Sequence, residues 1–195
     1  MLDGVDLRLA RGRAVAVLGP SGCGKTSLAE LLVRLRDPGA GRVTYGGVDV
    51  RRLRQDDLRR TVLLVAQDAH VFATTIRNNL VLARPGADDA VLLDALDAVG
   101  LGTFVAGLPE GLDTHVGEDG ARLSGGQRRR LLVARALVSD ARVLLLDEPA
   151  AHLDPEAARR LHARLVAEKA RRAILIIAHT TAGLEDCDDT LVWPS

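Results

Sequence analysis

Apolar positions along this chain gather into short continuous runs separated by longer stretches with helical spacing. Residues 14–18, 61–66, 142–146 and 173–178 are almost wholly apolar and end at turn signals or polar residues, the pattern of strands buried on both faces. Residues 5–9 alternate apolar and polar, as a half-exposed strand does, and residues 190–192 predict a short last strand. On either side of Gly46-Gly47, residues 42–45 and 48–50 predict a hairpin. Helical spacing covers 27–35, which ends at Asp37-Pro38-Gly39, then an arginine-rich amphipathic stretch at 51–60 and a later helix at 155–170. Between residues 68 and 141 strands are missing, and helices are predicted at 75–82, 88–99, 102–106 and 126–138.

Strands alternating with helices predict an α/β fold whose mostly parallel sheet is covered on both faces, with ligands at the carboxyl ends of the strands. Residues 1–67 and 142–195 form that core, and 68–141 form an inserted helical subdomain. No repeat or low-complexity tract interrupts this division.

The first buried run leads into Gly19-Pro20-Ser21-Gly22-Cys23-Gly24-Lys25-Thr26, which fits the phosphate-loop pattern G-x-x-x-x-G-K-[ST] in full. Glycines at 19, 22 and 24 let the backbone curl with its N–H groups inward, at the start of a helix whose dipole favours anions. Lys25 is placed to reach β- and γ-phosphates, and Thr26 to offer a hydroxyl to Mg2+. Lysine occurs only at Lys25 and Lys169, so an arginine-biased chain keeps a compact ammonium at the loop.

The run at 143–148, VLLLDE, ends in two carboxylates. Asp147 belongs on the same sheet edge as the loop, where it can hold Mg2+ through water, and Glu148 is placed to orient or deprotonate an attacking water. Residues 123–127, LSGGQ, open a long helix: Ser124 stands as N-cap, and Gly125 and Gly126 leave bare N–H groups, a second anion site. Arg128, Arg129 and Arg130 follow in the first turns, either solvated or facing an anion. If the second site lies at the far end of a helical arm, two copies arranged head to tail bring one nucleotide to both.

Lys plus Arg and Asp plus Glu balance at 26 each, which gives no footprint for nucleic acid. Two cysteines, Cys23 and Cys187, make no disulfide framework and point to a reducing cytosol. The apolar runs are far shorter than a bilayer span, and the start does not look like a signal peptide, so work at a membrane would require another anchor.

Taken together, the phosphate loop, Gln67, LSGGQ, VLLLDE, His152-Leu153-Asp154 and His179 occur in the order found in the ATP-binding domains of ATP-binding-cassette (ABC) transporters, which the chain resembles over nearly its whole length. The resemblance implies a RecA-like phosphate-loop core and a Mg-dependent ATPase. It implies ATP held by residues 19–26 with Ser27 of one domain and by Ser124, Gly125, Gly126 and Gln127 of a second ABC ATPase domain. Asp154 would communicate between the two sites, Gln67 would sense Mg2+ and the attacking water, and His179 would be the switch histidine at the γ-phosphate. Residues 75–80, TIRNNL, resemble the stretch in exporter-type members where coupling helices of a transmembrane partner dock. That implies a cytoplasmic place at the inner face of the cell membrane.

Read together, VFATTIRNNL, GEDGARLSGGQRRRLLVARAL and DEPAAHLD are most similar to the exporters of thiol reductants, cysteine or glutathione, of cytochrome bd assembly. The chain departs from the family in having no serine at 150–153, no aromatic residue before the loop to stack adenine, and no membrane helices. It is expected to be either a piece of a fused exporter or a separate subunit. A regulatory half of an asymmetric pair, with little hydrolysis, is the competing class, against which Glu148 and His179 both stand.

Overall fold

Five apolar segments line up side by side in the computed structural model, which describes residues 4–20 and 22–193. They are β1 (Ala14–Leu18), β4 (Val62–Val65), β5 (Val143–Asp147), β6 (Ala173–Ala178) and β7 (Asp189–Val192). Their order is β4-β5-β6-β1-β7, and every neighbouring pair is parallel. The predicted hairpin forms apart from this sheet, from β2 (Thr44–Tyr45) and β3 (Val48–Asp49).

Because side chains alternate along a strand, each central strand feeds two cores. Val15, Val17, Leu145, Leu175 and Ile177 face one side, with Leu28 and Ala29 of α1 (Lys25–Leu32) and Leu58 of α2 (Gln55–Thr61). Ala16, Leu144, Leu146, Ile174 and Ile176 face the other, where Leu161 and Leu165 of α7 (Pro155–Ala167) cover them. The helices between β4 and β5 join this second core: α3 (Ile76–Val81), α4 (Asp89–Ala98), α5 (Gly102–Ala106) and α6 (Gly125–Val138). Thr75 and Asp88 cap α3 and α4 by accepting from Asn78 N and Val91 N. This is a mixed α/β fold with a parallel sheet, as expected of a RecA-like phosphate-loop core.

Two elements differ from expectation. Residues 5–9 form no strand: β7 takes the place beside β1, so the segment runs as irregular chain with Leu7 and Leu9 still half-buried against the first core, beside Val15 and Val17. Residues 51–60 are not one helix. The chain first makes a tight 3-10 turn at Val50–Arg52, held by Asp49 accepting from Arg51 N, and α2 starts only at Gln55.

Candidate nucleotide site

The parallel order brings four strand ends to one edge, and each carries a residue singled out by its chemistry. The loop after β1, Gln67 after β4, Asp147 and Glu148 at β5 and His179 after β6 all leave the sheet on that side. Gly22 and Gly24 have φ of +80° and +102°, the left-handed backbone that lets the loop curl back onto the start of α1. Ser21 lies outside the described residues.

Gly24 is the N-cap of α1 and has no side chain to satisfy the first N–H groups, which leaves them for an anion. Lys25 is buried inside the curl, its Nζ donating to Gly19 O at 2.7 Å and Pro20 O at 2.6 Å, with Cys23 Sγ at 3.7 Å. Gly19 is required by close approach: a Cβ there would stand 2.7 Å from the Trp193 Cβ and 3.1 Å from Cys23 Sγ. Trp193 N in turn donates to Leu18 O at 2.6 Å, which pins the segment just after β7 against the loop.

Thr26 Oγ1 donates to Asp147 Oδ2 at 3.1 Å. Burial pushes the Asp147 carboxyl above its usual range, the Thr26 hydrogen bond pulls it back, and the nearby Glu148 charge raises it again. A buried carboxylate beside a hydroxyl is a hard oxygen donor set, and a small divalent cation such as Mg2+ fits it. Gln67, expected in the same set, has an exposed side chain, while its carbonyl accepts from Arg129 Nη1 at 3.4 Å.

Glu148 sits at φ +51°, a left-handed conformation that costs a non-glycine residue energy. Its carboxylate meets His179 Nε2, and His179 Nδ1 faces Gly19 O at 3.0 Å. Since a carbonyl only accepts, Nδ1 must carry a hydrogen. One histidine thus bridges the loop after β1 and the carboxylate after β5.

At the start of α6, Ser124 Oγ accepts from Gln127 N at 3.2 Å and Gln127 Oε1 accepts from Ser124 N at 2.8 Å, a reciprocal capping box. Gln127, placed by resemblance among the nucleotide-binding residues, therefore has its side-chain oxygen engaged in its own helix. Gly126 packs against the following strand's exit: a Cβ on it would meet Leu153 Cδ2 at 3.0 Å and His152 O at 3.3 Å. Asp154 caps α7, accepting from Ala157 N at 2.9 Å and Glu156 N at 3.1 Å, and these bonds hold its carboxyl below the usual range.

The three arginines after the glycines part company. Arg128 is exposed, and Arg130 donates to Gly126 O and Gly100 O. Arg129 is buried and donates to the main-chain oxygens of Ala66, Gln67, Asp147 and Glu148. Neither reading of the run anticipated this, yet the spacing carried the signal: Arg129 shares its helical stripe with Leu132, Val133 and Ala136, all buried. His162 is buried as a packing residue, its Nδ1 against Ala182 O at 2.9 Å, and burial holds its pKa below the usual value.

With this geometry in place, the family described as ABC transporter matches residues 2–151. The chain belongs to the ABC transporter family. It is 42% identical over 197 residues to the ATP-dependent lipid A-core flippase of Ralstonia nicotianae, covering 98% of this chain and 33% of that protein. It is also 36% identical over 192 residues to the heterocyst differentiation ATP-binding protein HepA of Nostoc sp., with 98% and 32% covered. Among solved structures, a bacterial Atm1-family ABC exporter with ATP bound is similar with a TM-score of 0.90 and 37% identity, covering 99% of this chain and 34% of that one. This ABC transporter chain thus spans about a third of the length of the relatives it matches. No helix among the described residues is long and apolar enough to cross a membrane.

Proposed function

We propose that the chain is a Mg-dependent ATPase that drives an ABC exporter by ATP-induced closure of two domains. The observation that carries this reading is the convergence on one sheet edge of the loop at Gly19, the Thr26–Asp147 pair and the Glu148–His179 pair. In this reading the loop N–H groups, with Gly24 offering no competing cap, bind the phosphates. Lys25 neutralises them, with Cys23, Pro20, Gly22 and Ser27 completing the wall. Mg2+ held near Thr26 and Asp147 would neutralise charge building on the phosphate oxygens. Glu148 orients a water for in-line attack and takes its proton, while His179 contacts the γ-phosphate and keeps Glu148 aimed. Gln67 reports on the water, and Asp154 links the two sites of a dimer.

The second wall of the nucleotide site is Ser124, Gly125 and Gly126 of another ABC ATPase domain, identical or different. The division into a core of 1–67 and 142–195 with a helical subdomain of 68–141 belongs to the same reading. An apolar groove of about 310 Å³ lined by Leu63, Val65, Phe72, Leu82, Leu132 and Arg135 supports docking of a transmembrane partner's coupling helix. Phe72 and Leu82 are 46% and 56% exposed there, beside the 75–80 segment. The domain would then sit on the cytoplasmic side of the membrane, with no nucleic acid partner. The stretches quoted above support thiol reductants, cysteine or glutathione, as cargo.

The test is Glu148→Gln. ATP turnover should fall by about 100- to 10,000-fold, the usual worth of a positioned general base. ATP affinity should persist, and ATP should drive a stable dimer seen by light scattering. Turnover at the wild-type rate in this variant would refute the assignment of Glu148.

A further inference from the structure

We propose that Arg129 is a positioning residue for the ATPase reaction, holding the backbone of Glu148 at its catalytic angle and tying that angle to the seat of α6. The proposal rests on the ATPase reading above and adds a residue and a coupling to it.

Main-chain oxygens at the carboxyl end of a parallel strand leave the ladder as the chain turns away, and they need other donors. Four such oxygens, from two adjacent strands, converge on one guanidinium. Arg129 Nη1 donates to Ala66 O at 2.7 Å and to Gln67 O at 3.4 Å, Nε donates to Glu148 O at 3.1 Å, and Nη2 donates to Asp147 O. The side chain is 5% exposed. Burial pulls its pKa down and the more distant Asp147, Glu148 and Asp68 charges pull it up, but a guanidinium keeps its proton in either case.

The two oxygens of Asp147 and Glu148 belong to the peptide units on either side of the Glu148 Cα. Holding both fixes the rotation between them, at a residue whose backbone takes φ +51°. Left-handed backbone persists in a residue with a side chain only where its surroundings over-determine it, and here a planar fork of donors supplies the determination. The direction of the Glu148 Cβ follows from that rotation, and with it the contact to His179. Through Nη1 the same group holds Ala66 and Gln67, so the exits of β4 and β5 are locked to each other.

Arg129 stands one helical turn after Gly125, on the helix that opens with Ser124. A force on the start of α6 is carried by a rigid turn into the backbone of the catalytic carboxylate. Lysine, with a single point of charge, cannot span four oxygens in two strands, so the site requires the fork.

The experiment uses the intact protein, with Arg129→Met and Arg129→Lys. MgATP affinity, measured with a fluorescent nucleotide, should stay within about twofold, because no loop contact is touched, whereas kcat should fall by about 10- to 100-fold, the scale of a small misplacement of a reacting group. KM should not move. In a double-mutant cycle, Arg129→Met added to Glu148→Gln should cause no further loss, since both act through the same carboxylate. A folded Arg129→Met or Arg129→Lys protein with wild-type kcat overturns the proposal, and so does a loss that adds in full to that of Glu148→Gln. If Arg129→Met does not fold, the lysine variant at an unchanged melting temperature carries the same two outcomes. Wild-type protein without turnover, or Glu148→Gln at the wild-type rate, would instead defeat the ATPase reading itself.

Discussion

Two helices in this chain begin with glycine-rich turns, and their first N–H groups are used in opposite ways. At α1 the N-cap is Gly24 in left-handed backbone, with no side chain to accept from the helix start and an ammonium held inside the preceding curl. At α6 the N-cap is Ser124 in extended backbone, and the reciprocal Ser124–Gln127 bonds already satisfy the N–H of Gln127 and that of the cap itself. A helix start has four N–H groups without intrahelical partners. The first therefore offers nearly all of its donors and a full positive charge, whereas the second offers the two glycine N–H groups and a hydroxyl. An anion can be bound by the start of α1 alone. The start of α6 has too few donors to do so, and it can only add to phosphates already neutralised elsewhere, which is what a closing second domain would present.

The largest effect that separates the two ends is expected at Lys25. Lys25→Ala removes the one cation inside the loop and also the donor that holds Gly19 O and Pro20 O in the curl. Charge-assisted bonds of this kind are each worth about 1.5–3 kcal/mol, so MgATP affinity by calorimetry should drop by roughly 100-fold or more. Affinity within twofold of wild type would mean that α1 does not bind phosphate by itself, and the contrast between the ends would collapse.

That contrast was only half legible in the residues. The loop could be read because its chemistry dictates glycines at fixed offsets before a lysine, and Asp147-Glu148 because an apolar run breaks into acids where a strand must end. Four of the predicted buried strands and all four insertion helices appear within a few residues of expectation, since long apolar runs and caps such as Thr75 and Asp88 are local signals. The Glu148–His179–Gly19 bridge depends on strand order, which brings together residues up to 160 apart in sequence. Trp193 against Gly19 depends on β7 pairing with β1 rather than on any motif. Residues 5–9 misled because alternation says only that a segment has two faces, not that a neighbouring strand is there to pair with it. Arg129 was hidden by its neighbours: in a run of three arginines charge is conspicuous, while the helical phase that buries the middle one is easy to overlook.

A smaller effect, confined to the second end, is expected for Gly126→Ala. Alanine would favour the helix by about 1 kcal/mol in intrinsic terms, yet its Cβ would press on Leu153 Cδ2 at 3.0 Å and on the main-chain His152 O at 3.3 Å. The segment before Asp154 must then shift. Nucleotide affinity of the single chain should stay within about twofold, while ATP-driven association in a Glu148→Gln background, followed by light scattering, should weaken by about tenfold, the worth of roughly 1.4 kcal/mol. Gly19→Ala is the matching change at the first end. Its Cβ would stand 2.7 Å from Trp193 Cβ, so the loss should appear in nucleotide affinity itself. If both alanines weaken binding to the single chain equally, the two helix starts are not divided as described.

The finest distinction is between Ser124 as a cap and Ser124 as a ligand. Ser124→Ala removes the acceptor for Gln127 N and should cost about 1 kcal/mol of stability, a fall of about 2–4 °C in melting temperature for a chain of this size. Ser124→Asp restores the acceptor, since aspartate caps as well as serine, and its charge suits the helix dipole. Its melting temperature should therefore match or exceed that of the wild type. As a ligand group, however, aspartate is the wrong replacement: a carboxylate at the start of α6 repels the phosphate that the serine hydroxyl would help to hold. ATP-driven association should fall in the aspartate variant despite its restored stability, and ATP affinity of the single chain should be unchanged in both variants. Association that simply follows melting temperature, low in alanine and recovered in aspartate, would show that the start of α6 contributes only a well-formed helix. The second anion site would then have to be sought elsewhere.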